Sequence, residues 1–483
     1  MIATKDYPMY VAGEWTDSES EARMDATSPA TGEKIGSLPE GTREDVRRAI
    51  RAANDAWGSW AALSAFERAA AMGRIAGIIE GRREELALTL TLDQGKPLEA
   101  EAYDEVDELV EYFAMAAAEA TRLEGSMPHS VHADKRVLLY RVPRGVVGII
   151  SPWNWPYTMA EMIAPALASG NAVVWVPAPS TSVCAVKLAE CIVDAGVPSG
   201  VFNMVCGPGA EVGDEVAANP GIQAVGFIGS IETGQKVAAR AAGKALLLEM
   251  GGNGPVVILD DADLDAAAEE SLTSAFLGAG QSCTAGERFL VHERVYDAYL
   301  EKLGRAIERE IKLGDPFDPT TTLGPLNNEP TAEKMDQHIS DALEGGAELV
   351  SGGSRAGGFP TDLYYRPTVL GKVGAGMRVS KEETFGPIIP ATVIRDEEEA
   401  IRTINSSPYG LLSAVFTQDL ARGLRFAEAV RTGWVNINAS SNHWESHLPF
   451  GGRAGSLSGV GRVGGRYAME TFTEFKTVIL SLG

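Results

Sequence analysis

Between residues 145 and 250, short and wholly apolar runs alternate with stretches of helical period. No other feature of the chain constrains its fold as much. Gly145–Ile150, Ala172–Val176, Val201–Val205, Ala224–Ile228 and Ala245–Glu249 read as strands. Met159–Ala168, Ser182–Asp194, a short piece after Gly207-Pro208-Gly209 and a segment opening at Ser230 read as the helices between them. Strands that are apolar on both faces and joined through helices run parallel and are covered on both sides, so a doubly wound sheet is expected. Ligands of such sheets sit beyond the carboxyl ends of the strands, where Trp153-Asn154, Pro177 and Gly229-Ser230 fall.

A second alternation opens at Pro255-Val256-Val257-Ile258-Leu259 and continues to about residue 455. A chain of 483 residues exceeds one ordinary core, and two α/β units account for its length. Upstream, helices are expected from Thr42, with Asp45 completing a capping box, from near Ser64, from near Glu85, and across Asp104–Thr121. Glycine-rich Gly345–Gly358 is expected to be loop, while Val137–Tyr140 and Thr477–Leu480 read as strands.

Charge narrows the partners. The 42 basic residues against 66 acidic give a formal charge of −24, which excludes nucleic acid and anionic membrane surfaces. No apolar stretch is long enough to span a bilayer, and Met1–Pro8 lacks the apolar run of a signal peptide. Cys184, Cys191, Cys206 and Cys283 form no metal-ligand pairing, so a reduced, cytoplasmic protein without a metal site is expected.

Cys283 ends the run Gly278-Ala279-Gly280-Gln281-Ser282-Cys283, and Glu249 stands upstream in Leu248-Glu249-Met250-Gly251-Gly252. A thiol that attacks a carbonyl and a carboxylate that activates the water releasing the product are what covalent catalysis followed by hydrolysis requires. The thiol must be partly ionised to attack, and amides of Gly278 and Gly280 are candidate sources of positive dipole. Alone, Cys283 would equally suit a small buried hydrophobe.

These residues belong to a wider set in one order. Pro152-Trp153-Asn154-Trp155-Pro156, Pro165–Asn171, Gly229-Ser230 with Gly234, and Glu249–Gly252 come first. Gly280–Cys283, Glu383-Thr384-Phe385-Gly386-Pro387 and Pro449-Phe450-Gly451-Gly452 follow. On these blocks the chain resembles the aldehyde dehydrogenase superfamily along its whole length. The resemblance implies two doubly wound parallel-sheet domains plus a small β oligomerisation element. Residues 1–122 and 142–251 would bind the dinucleotide, 252–455 would carry the nucleophile, and 123–141 with 467–483 would pair as strands in a homodimer or homotetramer. It implies Cys283 as nucleophile, Glu249 as the base that hydrolyses the thioester, and Asn154 with the Cys283 N–H as oxyanion donors. It further implies NAD or NADP as acceptor, NAD being placed first. The residues to hold it are Ile150, Ser151, Pro152, Trp153, Val176, Pro177, Gly209, Gly213, Phe227, Gly229, Ser230, Glu249, Met250, Gly251, Glu383 and Phe385.

Four positions depart from the family's pattern. Val176-Pro177-Ala178-Pro179 stands where Lys-Pro-Ser-Glu is usual, removing both a lysine and a glutamate from the adenosine ribose. Ile163 replaces a common lysine and Val463 a common glutamate. Aligned motifs place Tyr157, Met159, Met162, Ser282, Thr284, Trp444 and Phe450 around the aldehyde, and their apolar character points to a hydrophobic aliphatic or aromatic substrate. Two other readings fit the same residues: a cofactor-independent thiol esterase, and a non-catalytic assembly subunit. In Asn438–His447, His443 and His447 read as incidental members of a polar loop.

Overall fold

The computed structural model describes residues 5–482. Met1–Thr4, where part of the amino-terminal reading falls, and Gly483 lie outside the described residues. The helix over Arg43–Ala61 starts where the sequence places it. Thr42 and Asp45 exchange hydrogen bonds as a capping box, an arrangement worth about 1 kcal/mol. Ser64 caps the helix Ala65–Gly81 in the same way, and Tyr103–Ala120 packs against that helix and against Ala160–Ala168.

The expected parallel strands form the middle of an eight-stranded sheet. Its order is Gly459–Val460, Ala245–Met250, Ala224–Gly229, Val146–Ile150, Ala172–Val176, Phe202–Met204, Met9–Val11 and Glu14–Thr16. Val146–Ile150 and Ala172–Val176 are buried at every residue, as wholly apolar runs covered on both faces should be. From Val146–Ile150 the chain moves outward through two strands, then returns to the other side for Ala224–Gly229. Strand order therefore reverses between Ile150 and Gly229, and a crevice opens at that reversal. At one edge Met9–Val11 and Glu14–Thr16 form the short strand-and-turn entry expected ahead of the first helix. At the other, Gly459–Val460 escaped the sequence reading because it is short and antiparallel; it pairs Gly459 with Glu249 and so brings this late segment to the carboxylate.

The second sheet has the order Glu348–Ser351, Thr368–Gly371, Ile388–Ile394, Gly286–His292, Gly254–Ile258, Leu412–Phe416, Trp434–Ile437. Two expectations are corrected here. Gly345–Gly358 is not all loop, because Glu348–Ser351 pairs antiparallel with Thr368–Gly371 as a solvent-facing edge. The tail is not strand from residue 467, because Arg466–Phe472 is helical and buries Ala468, Met469 and Phe472. Strand begins at Thr473, and Thr473–Ser481 pairs antiparallel with Lys135–Pro143, register Thr473 to Pro143 through Ser481 to Lys135. This two-stranded ribbon leaves Phe475 and Ile479 exposed at 58% and 60%. No helix of the described residues is long and apolar enough to cross a membrane.

Candidate active site

Cys283 follows a turn in which Gly278, Ala279 and Gly280 all have positive φ, at 61°, 55° and 73°. A Cβ on Gly280 would strike the carbonyl oxygen of Gly386, so only glycine fits. Ala279 carries the left-handed cost of about 1–2 kcal/mol, and surrounding contacts hold it there. Gly278 N–H donates to both oxygens of buried Glu101 at 3.1 Å. Gln281 Nε2 donates to the Gly278 carbonyl and Gln281 Oε1 accepts from the Asn327 N–H, each at 2.9 Å. The Gly278 amide is thus spent on Glu101 and is not a dipole for the thiol. Asn154 Nδ2 donates to the Gln281 carbonyl at 2.9 Å, which fixes the amide and leaves its second N–H uncommitted.

Cys283 is half-buried, unlike the other three cysteines, which are fully buried. Burial, and then the carboxylates of Glu249, Glu383 and Glu161, push its thiol well above the ordinary range. A thiol raised in this way favours the protonated form, and to attack a carbonyl it would need a base to take its proton.

Glu249 is a carboxylate that lines the same cavity as Cys283. Its backbone is locked between Ile228 on one side and Gly459 on the other. Both carboxylate oxygens are buried without a hydrogen-bond partner among the described residues. Burial, and then the charge of Glu161, raise its carboxyl well above the usual range, while the Arg462 guanidinium draws it down. A Cβ on Gly451 would strike Glu249 Oε1, so that glycine keeps the space around the carboxylate clear. Val463 exchanges backbone hydrogen bonds with Phe450 at 2.9 and 3.2 Å, and Ile163 is wholly buried in the core. Both departures therefore leave Glu249 with few charged neighbours.

Cys283, Glu249 and Asn154 share one cavity of about 60 Å³. Of the expected substrate residues, Met159, Ser282, Thr284, Trp444 and Phe450 line it. Tyr157 and Met162 do not. The Tyr157 hydroxyl donates to the Leu86 carbonyl at 3.1 Å, and Met162 sulfur lies where a Cβ on Gly226 would be 2.8 Å away, so both belong to the core. Successive helical residues differ by about 100° around the axis. On Ala160–Ala168 it is Glu161, beside Met162, that reaches the cavity. Trp155 and Asn442 are further wall residues the sequence reading missed. Lys96, ion-paired with Glu105 in the interior, sits 2.9 Å from the centre of the Trp155 ring and pins it. Asn442 accepts from the Thr284 hydroxyl and donates to the Thr273 carbonyl at 2.7 Å, tying the 438–447 loop to the nucleophile turn. In that loop His443 is exposed, and His447 stands 3.5 Å from Glu445, outside the cavity.

Behind Cys283 a cleft of about 310 Å³ occupies the strand reversal. Pro152, Trp153, Gly229, Ser230, Gly251, Glu383 and Phe385 line it as expected, joined by Lys334 and Asn328. Phe385 holds a φ of 65° and meets Trp153 edge-on at 5.7 Å. Buried Glu287 accepts from the N–H groups of Thr384 and Phe385 at 2.8 Å each and holds that backbone. Glu383 accepts from the Gly252 N–H at 2.9 Å. Ser230 caps the helix Ile231–Arg240, whose first amides have no helical partner and can meet an anion. These donors, the Lys334 cation and the flat aromatic wall fit a dinucleotide. Ile150, Val176, Phe227 and Met250 lie instead in one apolar cluster beneath the crevice. Pro177 and Gly213 are buried, Gly209 is exposed, and the Ser151 hydroxyl already accepts from Trp175 Nε1 at 2.9 Å. Nothing in the sequence pattern around Lys334 or Glu287 distinguishes them from ordinary helix and strand charges.

Comparison with known proteins agrees with this geometry. Residues 15–478 match the model of the aldehyde dehydrogenase family. Succinate-semialdehyde dehydrogenase [NADP(+)] of Escherichia coli K12 is 40% identical over 98% of this chain and 97% of its own. An NAD-dependent aldehyde dehydrogenase from Sinorhizobium meliloti superposes with a TM-score of 0.96 at 38% identity, over 100% of this chain and 96% of its own. Betaine aldehyde dehydrogenase from Staphylococcus aureus, in complex with NAD+, does so with 0.95 at 34%, over 99% and 95%. The chain belongs to the aldehyde dehydrogenase family and is an NAD(P)-dependent oxidoreductase.

Proposed function

We propose that the protein oxidises an aldehyde to the carboxylic acid through covalent attachment to Cys283. The carrying observation is the convergence on one cavity of a half-buried thiol, a carboxylate with both oxygens unpartnered, and an amide with one N–H to spare. Glu249 takes the thiol proton as sulfur bonds to the carbonyl carbon. The oxygen becomes an oxyanion, met by Asn154 Nδ2 and the Cys283 N–H. A dinucleotide bound in the adjoining cleft supplies the acceptor for the hydride that leaves that carbon. Glu249 next releases that proton to solvent, removes one from water as the water attacks the thioester, and passes it to the departing sulfur, so that Cys283 leaves as the thiol.

Residues 252–455 would carry the nucleophile, and residues 1–122 with 142–251 the dinucleotide. Lys334 and the Ser230 helix start would meet its phosphates, and Glu383 with Phe385 the nicotinamide end. Relatives divide between NADP and NAD, and Val176-Pro177 offers neither ribose a charged partner; NAD is placed first. The ribbon of Lys135–Pro143 and Thr473–Ser481, with Phe475 and Ile479 exposed, would join subunits of a homodimer or homotetramer. Four unpaired thiols support the cytoplasm as its place of action. Trp155, Met159, Trp444 and Phe450 support an apolar carbon skeleton next to the carbonyl.

The test is reduced-nicotinamide formation with NAD and with NADP across a panel of aldehydes, with Cys283→Ala as blank. Turnover abolished in that variant supports the scheme. Turnover surviving it would overturn covalent catalysis by Cys283.

A further inference from the structure

Glu161 has no place in the scheme above. It is 6% exposed, lines the aldehyde cavity, and makes no hydrogen bond or ion pair through its carboxylate among the described residues. Neither lysine nor arginine lines that cavity, whose other walls include the rings of Trp155, Trp444 and Phe450. Burial, and then Glu108, push the Glu161 carboxyl up to about 8. A carboxyl held in this state gains most from a partner that favours its ionised form.

A second observation lies on the far side of Trp444. There an outer pocket of about 280 Å³ is lined by Glu108, Glu111 and Glu445, with Ser446 and His447. Trp444 is common to both spaces, and Tyr112 stacks on it at 6.2 Å. Acidic groups therefore line an outer pocket and an inner cavity that share Trp444 as a wall. A cation is attracted by each of these elements, the indole included. An anion would meet acidic groups in the outer pocket and, inside, would only push the Glu161 carboxyl further up, with no cationic side chain in the wall to receive it.

We propose that the site selects small aldehydes whose far end carries a protonated amine or quaternary ammonium, held by Glu161 between the Trp155 and Trp444 rings. Glu111 and Glu445 draw such cations to the mouth, and carboxylated aldehydes are rejected by the same charges. This selection rests on the oxidative reading of Cys283 and names the substrate class of that site. It also revises the hydrophobic expectation from sequence: the apolar walls remain, but one of them carries a carboxyl that a cation would ionise.

The test uses the intact oligomer and three aldehydes of similar size. Trimethylammonio-acetaldehyde is cationic, 3,3-dimethylbutanal is its neutral isostere, and succinate semialdehyde is anionic. We expect kcat/KM to favour the cation over its isostere by at least about tenfold, and over the anion by more. Glu161→Gln should collapse the cation-to-isostere ratio to within about threefold, chiefly through the KM of the cation. Equal rates for cation and isostere in the unaltered protein overturn the proposal. So does a Glu161→Gln effect of equal size on every aldehyde, which would make Glu161 a proton-transfer or structural group. Choline against 3,3-dimethylbutanol, by calorimetry, reads the same preference without turnover. Choline binding that Glu161→Gln abolishes, in a protein that oxidises nothing, would sustain the cation site and sink the dehydrogenase scheme. No preference in either assay sinks the cation site.

Discussion

The cleft and the cavity meet at Pro152, Asn154 and Ile228, which line both, yet they handle charge in opposite ways. The cleft sets Lys334 and an open helix start against Glu383, a mixed field suited to a ligand of fixed and anionic chemistry. The cavity and its outer pocket hold carboxyl groups and one imidazole, with no lysine or arginine. On the reading proposed above, a nucleotide at the strand reversal would be met largely by backbone. The aldehyde would be sorted by side chains, those of Glu111 and Glu161 coming from the helices Tyr103–Ala120 and Ala160–Ala168.

The sharpest break between the two regions comes at the nucleophile. Cys283→Ala should lower kcat by at least about 10⁴-fold while leaving NAD(P) affinity, read by fluorescence quenching of bound nucleotide, within about threefold. A comparable loss of nucleotide affinity would show that the two regions are not separable. Next comes Glu249→Gln, with an expected loss of about 10³-fold in steady-state turnover. Rapid mixing should then show no fast burst of reduced nicotinamide, because the thiol loses the base that takes its proton as well as the base for hydrolysis. A full burst of one per subunit would mean that Glu249 serves hydrolysis alone. Asn154→Ala is expected to cost about 10²–10³-fold in kcat, the usual worth of one oxyanion donor. An unchanged kcat would assign the oxyanion to the Cys283 N–H alone.

The chain made some of this plain and concealed the rest. Strand runs such as Ala172–Val176 were legible because burial on both faces requires uninterrupted apolar sequence. Cys283, Glu249 and Asn154 stood out through the family motifs that hold them, and the structure brings all three to one cavity. Gly459–Val460 was not, because two residues at a sheet edge have no periodicity. Glu161 was hidden for a related reason: on a helix otherwise buried and apolar, a single acid looks like the exposed residue of an amphipathic pattern. Only the packing of Tyr103–Ala120 against Ala160–Ala168 turns it inward. Tyr157 and Met162 erred in the opposite direction, since large apolar residues beside a motif serve the core as readily as a ligand.

The smallest effect separates the acids of the cavity from the cation that opposes them. Glu249 acts as a base only when ionised, and its raised carboxyl makes kcat climb with pH on an ascending limb set mainly by that group. Two charged side chains face it with opposite sign: Glu161 raises it and Arg462 lowers it. Glu161→Gln removes a neighbouring negative charge, so ionising Glu249 costs less and the limb should move to lower pH. Arg462→Gln removes the favourable positive charge, and the limb should move to higher pH. Each shift should be of order one pH unit or less, a differential interaction of about 1.4 kcal/mol at most. The measurement is the pH profile of kcat with the neutral isostere, for which Glu161 makes no substrate contact that depends on charge. Movement of both limbs in one direction would mean that the profile reports Cys283, Glu383 or product release, and that the electrostatic opposition of Glu161 and Arg462 does not reach the base.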